Sequence, residues 1–221
     1  MNKKKKTISV LGGTGNLGIA LAWRWATAGY PIIIGSRDES RAQEAAAQVN
    51  ARIGRNSVKG AVNPEAARDS EIVVLTVPFR SHQSTLETIK AELAGQIFID
   101  TTVPIQPPRV DVVQLPKAGA VALETRTCLG EKARVAAAFH NISANLLNMD
   151  KAIHSDVLVT ADDDTVRQEV MKLVEETGCR GLDAGVLANS AAAEAMTSVL
   201  IHLNKTYKVG HAGLLITGLD K

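Results

Sequence analysis

The chain has 221 residues, a formal net charge of +2, and 45% hydrophobic but only 3% aromatic residues. This size and apolar content predict a compact α/β protein, one domain with at most a smaller appendage, packed mainly by aliphatic side chains. The weak charge argues against nucleic-acid binding, and the absence of a long apolar stretch argues against a membrane span.

The N-terminal half alternates short apolar strands with helices. Strands are predicted at residues 7–11, 31–34, 71–77 and 96–100, and helices at residues 19–28, 39–53 and 84–93. Residues 103–116 contain four of the seven prolines, which favours a loop. The lysine run at residues 3–6 is expected to be a solvated terminus. The alternation predicts a Rossmann-type, doubly wound parallel sheet.

A smaller α/β part follows this sheet in the sequence. Strands are predicted at residues 135–139 and 157–160, a helix at residues 165–177, and a long alanine-rich helix at residues 188–206. The last helix is too apolar for a helix with one solvent-facing side, so it should bury most of its surface. We therefore expect a homodimer. Cys128 and Cys179 form no CxxC pair, which is typical of free thiols in the cytoplasm.

Three glycines form the pattern G-x-G-x-x-G between the first predicted strand and the first helix. In that context Gly13 permits a tight turn, Gly15 lets a pyrophosphate approach the backbone, and Gly18 lets helix and strand pack closely. The amides of Asn16 and Leu17 then lie at a helix N-terminus, where the helix dipole favours an anion. The pattern therefore predicts a dinucleotide site.

The end of the second strand indicates which nucleotide binds. NAD sites usually carry Asp or Glu there, whereas this chain has Ser36 and Arg37, with Arg41 one helical turn later. Ser36 can donate a hydrogen bond to a 2′-phosphate, and both arginines can pair with it. Asp38, the nearest acid, is expected to cap the next helix. The sequence therefore predicts NADP(H).

Two further strand ends should face the same cleft. Thr76, Val77 and Pro78 end the third strand, and Thr102, Val103 and Pro104 end the fourth. Because ligands of parallel sheets bind at the carboxyl ends of the strands, these residues should line the nicotinamide side. The acidic residues 162–164 fit a charged helix start, so no metal site is predicted.

These motifs and several later segments together resemble the coenzyme F420-dependent NADP oxidoreductases. The later segments, in the same order as in that family, are residues 139–141, 182–185, 187–190 and the tail from 207 to 218. The resemblance spans almost the whole chain. It implies hydride transfer, in either direction, between NADPH and the 5-deazaflavin coenzyme F420 as co-substrate. It also implies a cleft between an NADP-binding domain, residues 1–134, and a smaller C-terminal domain, residues 135–221.

The resemblance assigns roles to individual residues. It implies that the NADP phosphates are held by Thr14, Gly15, Asn16, Leu17, Ser36 and Arg37, with Arg41 as a further basic residue. It implies that the nicotinamide and deazaflavin cleft is lined by Val77, Val103, Pro104 and Ala144, with Pro78 and either Ser81 or His82 as contacts. His140 stands where the relatives place a histidine near the rings. It could orient a ring carbonyl, or it could be a core histidine bonded to the backbone.

Hydride transfer between two carbon atoms needs little acid–base help, so no nucleophile is expected. We expect only small-molecule cofactors as partners, besides a second copy of the chain. Two other functions stay open, namely an NADPH-dependent flavin or ferric reductase and a non-catalytic NADPH-sensing module. Tyr207 and Lys208 are adjacent rather than four residues apart, which does not support the chemistry of short-chain dehydrogenases.

Overall fold

A computed structural model describes residues 5–219, and its centre is one eight-stranded sheet. The strands, in chain order, are β1 (Ile8–Leu11), β2 (Ile32–Ser36), β3 (Val58–Val62), β4 (Ile72–Leu75), β5 (Ile97–Asp100), β6 (Arg134–Ala137), β7 (Asp156–Ala161) and β8 (Arg180–Asp183). In space they are ordered β3-β2-β1-β4-β5-β6-β7-β8. All neighbours are parallel except β6 and β7, which are antiparallel. The predicted Rossmann-type sheet is confirmed.

Helices cover both faces of this sheet. They are α1 (Asn16–Thr27), α2 (Glu39–Ile53), α3 (Asn63–Arg68), α4 (Phe79–Ile89), α5 (Val121–Leu129), α6 (Ala144–Leu147), α7 (Asp164–Glu175) and α8 (Ser190–Thr206), with 3-10 turns at Lys90–Glu92 and Leu187–Asn189. Ile72 and Val74 of β4 join the core under α1, α2 and α7, while Val73 and Leu75 join the core under α3 and α4. Within residues 5–219, no helix is long and apolar enough to cross a membrane.

The C-terminal elements continue the same sheet and share its core. The fully buried Trp25 of α1 donates its indole N–H to the Leu173 carbonyl of α7 at 2.8 Å. Its ring meets that of Phe139 edge-on, with centroids 5.8 Å apart. Because the sheet runs on without interruption at residue 134, the division of the chain into two domains at that point remains a prediction.

Several short elements have no counterpart among the predicted ones, namely β3, α3, α5, α6 and β8. The strand β3 contains Lys59 and Gly60, which break its apolar run. Gly60 is required by packing, because a Cβ there would lie 2.4 Å from the main-chain carbon of Ala42 in α2. The helix predicted at residues 84–93 begins earlier, at Phe79, directly after Pro78.

Two lysines of the basic N-terminal run form ion pairs, unlike the solvated terminus predicted from the sequence. Lys5 pairs with Glu176 at 2.9 Å, and Lys6 pairs with Glu169. These two lysines therefore hold the start of β1 against the region of α7 instead of being only solvated. Residues 3 and 4 of the run lie outside the described residues.

Candidate functional site

A cavity of about 1090 Å³ opens at the carboxyl edge of the sheet. Its lining residues all lie at or just after the end of one of the strands β1 to β5, or in the first two turns of the helix that follows. They are Gly12, Thr14, Gly15, Asn16, Leu17, Ser36, Arg37, Asp38, Arg41, Asn63, Thr76, Val77, Pro78, Phe79, Arg80, Ser81, Thr85, Thr101, Thr102, Val103, Ile105, Gln106 and Pro107. This is the edge at which parallel α/β sheets bind ligands.

The glycine turn lets α1 approach the sheet closely. Gly12, with a φ of +68°, takes the left-handed turn conformation. Gly13, to which the pattern assigned the tight turn, is needed for space instead. A Cβ at Gly13 would lie 2.5 Å from the Val10 carbonyl oxygen, and one at Gly18 would lie 2.5 Å from the Gly13 Cα. The close packing of helix and strand predicted for Gly18 is therefore present.

The N-terminus of α1 faces the cavity. Its N-cap residue, Gly15, has no side chain to cap the helix, and a Cβ there would have no neighbour nearer than the Gly12 carbonyl oxygen, at 3.7 Å. Asn16 and Leu17, the first helical residues, line the same space. Amides in the first turn of a helix have no intrahelical acceptor, and the dipole there favours negative charge. This corner is therefore suited to a pyrophosphate.

The end of β2 offers two positive charges that form no ion pair with the described part of the protein. Arg37 and Arg41 are exposed to the cavity, and neither guanidinium forms a hydrogen bond or ion pair with another residue of 5–219. Asp38 is engaged elsewhere, because its carboxylate accepts the amides of Ser40 at 2.9 Å and of Arg41 at 3.3 Å. Bonds from Ser40 and then from Arg41 lower the pKa of this carboxyl. The predicted helix cap is confirmed.

Ser36 completes this corner. It is 7% exposed, and its Oγ accepts the Asp38 amide at 3.2 Å, which leaves the hydroxyl hydrogen free to be donated. A hydroxyl donor beside two unpaired guanidinium groups is suited to a phosphate.

The opposite end of the cavity lies over β4 and β5 and includes several apolar side chains. Val77, Pro78, Ser81 and Val103 line it, as predicted from the sequence. We call this region the nicotinamide end. Pro104, in contrast, is buried behind the lining, and Gly13 also lies outside it.

Several lining residues were missed by sequence reasoning. Asn63 is 4% exposed and its Oδ1 accepts the Gly12 amide at 3.4 Å, but it follows β3, which the sequence did not predict. Phe79 and Arg80 closely follow the end of a predicted strand, so their position was a usable signal. Thr102, which was predicted to face the cleft, does line the cavity. Arg80 is a third cavity arginine whose side chain has no hydrogen bond or ion pair among the described residues.

His140 and Ala144 follow β6, at the same edge of the sheet but outside the cavity lining. His140 is 5% exposed, and neither ring nitrogen has a hydrogen-bond partner in the described part of the chain. Burial lowers the pKa of His140 to about 4, although the charge of Asp100 opposes the shift. The ring is therefore a neutral imidazole, and it lacks the backbone bond expected of a structural core histidine. The hydroxyl of Thr197 donates instead to the main-chain oxygen of His140, at 2.8 Å.

No group of metal-ligating side chains occurs among residues 5–219. The acidic run predicted to start a helix does so, because Asp163 accepts the amides of Thr165 and Val166 at the start of α7.

Comparison with known proteins gives consistent matches. The model of the family described as NADP oxidoreductase, coenzyme F420-dependent, matches residues 7–104. The F420-dependent NADP reductase of Methanothermobacter thermautotrophicus is 40% identical, over 97% of this chain and 96% of its own. The enzyme of the same name from Methanothermobacter marburgensis is 39% identical, over 97% of this chain and 99% of its own.

The fold is also found in a solved structure of lower sequence identity. An imine reductase from Myxococcus stipitatus, in complex with NAD+, superposes with a TM-score of 0.68 at 17% identity. The match covers 92% of this chain and 62% of the imine reductase. At this identity the likeness concerns the fold alone.

The buried imidazole predicts a pH dependence of stability. An unfolded histidine has its ordinary pKa near 6.5, so between there and the folded value of about 4 the unfolded state binds more protons. The stability contributed by neutral His140 is therefore present above pH 6.5 and lost as the pH falls. Each pKa unit is worth about 1.4 kcal/mol. Between pH 7 and pH 4.5, the wild type should lose roughly 2–3 kcal/mol more than the His140→Phe variant in urea unfolding. Parallel losses in the two proteins would contradict the assignment.

Proposed function

Because the chain belongs to the coenzyme F420-dependent NADP oxidoreductase family, we infer that it is an oxidoreductase that transfers a hydride between NADPH and coenzyme F420. The relatives of that name are 34–40% identical to it, and the matches span nearly the full length of both chains. The structural observation that best supports this function is the pair of arginines at the end of β2 that form no ion pair within residues 5–219, in a cavity that also contains a helix N-terminus.

The cavity suggests one orientation for NADPH. The 2′-phosphate would lie against Ser36, Arg37 and Arg41, and the pyrophosphate against the first amides of α1. The nicotinamide ring would then reach the nicotinamide end, near Val77 and Val103. Gly15 supports this arrangement. Any side chain at this position would project into the open space that the pyrophosphate would occupy.

The bound cofactors supply the redox chemistry, since NADPH carries the hydride and the deazaflavin accepts it. The residues of the chain bind and orient the two molecules and keep water away. Apolar residues at the nicotinamide end, such as Val77 and Val103, suit this role. The rate increase would come from proximity, because holding the two rings near contact distance makes the hydride transfer effectively unimolecular. This role requires neither a nucleophile nor a metal.

We place the deazaflavin beside the nicotinamide end, toward Ser81, Pro104, His140 and Ala144. His140 supports this placement because a buried imidazole with both nitrogens unpaired leaves a polar group unsatisfied. A ring carbonyl of the deazaflavin, accepting the imidazole N–H, would satisfy it. His140 would then orient the acceptor ring without exchanging a proton, because its pKa of about 4 keeps it neutral.

The proposed reaction is tested by mixing the protein with NADPH and oxidised F420 and following the loss of deazaflavin absorbance. Parallel reactions contain FMN, a ferric chelate, or no acceptor. We expect rapid loss with F420 and little NADPH oxidation with the other acceptors. Faster NADPH oxidation with FMN or ferric iron would favour the flavin or ferric reductase. Tight NADPH binding without turnover of any acceptor would favour the sensing module.

We further propose that the protein is a homodimer that contacts through α8. The outward face of α8 exposes Val199 at 41%, and the tail that follows exposes Tyr207 at 70% and Leu215 at 61%. Residues 112–115 of the proline-rich loop add further apolar surface, held beside α8 by the ion pair of Asp111 with Lys205. Exposed apolar side chains on segments that lie close together are typical of an interaction site. The two free cysteines support a cytoplasmic location.

Light scattering at micromolar concentration tests the dimer. The wild type should have twice the mass of one chain, and Val199→Asp should shift it toward the monomer by placing a charge in the apolar contact. Ala47→Asp is a matched control, because Ala47 is exposed on α2, at the far edge of the sheet. A monomeric wild type, or a dimer that Val199→Asp leaves intact, would contradict the proposed interface.

A further inference from the structure

Three buried polar side chains form a closed hydrogen-bond network behind the nicotinamide end of the cavity. They are His82 of α4, Asp100 of β5 and Thr125 of α5, which we call the buried triad. The His82 Nε2 lies 2.8 Å from Asp100 Oδ2 and 2.8 Å from Thr125 Oγ1. The Thr125 hydroxyl also donates to Asp100 Oδ2. His82 is 1% exposed, and the other two are fully buried.

The donors and acceptors of the triad can be assigned. The Asp100 carboxylate only accepts, and the single hydroxyl hydrogen of Thr125 is directed at it. The Nε2 of His82 must therefore carry a hydrogen, since it faces the same carboxylate oxygen. Burial acts to raise the pKa of Asp100, but bonds from His82, Thr125 and the Thr102 amide outweigh it and lower the pKa. The group at the centre of the triad is thus an ionised carboxylate.

The triad connects two walls of the cavity. On one side, Asp100 Oδ1 accepts the Thr102 amide at 2.8 Å, and Thr102 lines the nicotinamide end next to Val103. On the other side, the His82 ring stacks on Phe79, with centroids 6.5 Å apart and planes at 28°. Phe79 also lines the cavity. The triad residues themselves are absent from the lining.

A network of this kind is a costly way to fill a core. Removing a carboxylate from water costs several kcal/mol, and apolar side chains of similar volume often stabilise a core as well or better. A fully satisfied buried polar network, however, holds its members in one arrangement. Nothing in the binding of NADPH or F420 described above uses these three side chains.

We propose that His82, Asp100 and Thr125 are positioning residues. They fix the positions of Thr102 and Phe79 in the cavity lining, and thereby the position of the nicotinamide ring during hydride transfer. This proposal rests on the proposed function, because it assigns the nicotinamide to this end of the cavity. It predicts that disrupting the hydrogen bonds of the triad lowers the rate of hydride transfer, while the binding of the NADPH phosphates is retained. The 2′-phosphate corner lies after β2, two strands away from β4 in the sheet.

Thr125 is the best place for a test, because replacing Asp100 would leave buried donors without an acceptor and endanger folding. Thr125→Val keeps the volume and removes the hydroxyl. Thr125→Ser keeps the hydroxyl and removes a buried methyl group. Thr127→Val is the matched control on the same helix, because Thr127 is exposed and its hydroxyl bonds only to the Leu123 carbonyl of its own helix.

Small errors in ring placement reduce rates strongly, by about a hundredfold for an error of roughly 1 Å. We expect Thr125→Val to lower kcat for F420 reduction about tenfold or more and to change the KM for NADPH less than about threefold. Thr125→Ser and Thr127→Val should stay within about threefold of the wild type in both constants. If Thr125 served packing alone, Thr125→Ser would be the more damaging change. That order would overturn the proposal, as would a normal kcat for Thr125→Val.

A second measurement separates this inference from the proposed function. The fluorescence of bound NADPH reports the surroundings of the nicotinamide ring without needing an acceptor. It should differ from the wild type in Thr125→Val but not in Thr125→Ser. If the wild type failed to reduce F420, the proposed function would be wrong. The fluorescence comparison would still test the role of the triad. Identical fluorescence in both variants and the wild type would overturn the role of the triad.

Discussion

Two guanidinium groups, those of Arg37 and Arg41, lie at the end of β2 and form no ion pair with a carboxylate of residues 5–219. The nearest acid is Asp38. Its carboxylate accepts backbone amides at the start of α2 and forms no ion pair with either arginine. An anion supplied by a ligand is therefore the natural partner. The assignment of NADPH, and with it the position of the second substrate, depends on this charge.

The sheet explains why one anion site can organise the whole cleft. Five parallel strands end at the same edge, and each end contributes a short segment to one cavity. The 2′-phosphate corner, the pyrophosphate corner and the nicotinamide end follow in sequence from β2 through β1 to β4 and β5. A dinucleotide anchored by its extra phosphate then has one direction in which to extend. In the proposed arrangement, the polar groups behind its far end, His140 and the buried triad, orient the rings.

Sequence patterns predicted those parts of the molecule whose structure depends on residues close together in the chain. Apolar strands, the glycine turn and the residues after β2 were readable because strand, turn and helix start lie within a few positions of one another. The strand β3 was missed because Lys59 and Gly60 interrupt its apolar run, and the need for Gly60 comes from the packing of α2 against the strand. Asn63 was missed together with that strand.

The buried triad lay beyond sequence reasoning for a different reason. Its members are 18 to 43 residues apart, and only the packing of α4 and α5 on β5 brings them together. The placement of His140 followed from the family resemblance, but its two unpaired nitrogens could be seen only in three dimensions. Residues whose role depends on long-range contacts carry no local signal.

The most direct test of the account is the preference for NADPH over NADH in the Arg37→Glu variant, measured as the ratio of the two kcat/KM values. A charged hydrogen bond is worth about 1.5–3 kcal/mol, so the ratio should fall at least roughly tenfold to hundredfold, mainly through loss of activity with NADPH. Arg109→Glu, which reverses an exposed charge outside the cavity lining, should leave the ratio unchanged. A wild-type preference for NADPH that survives in Arg37→Glu would contradict the account.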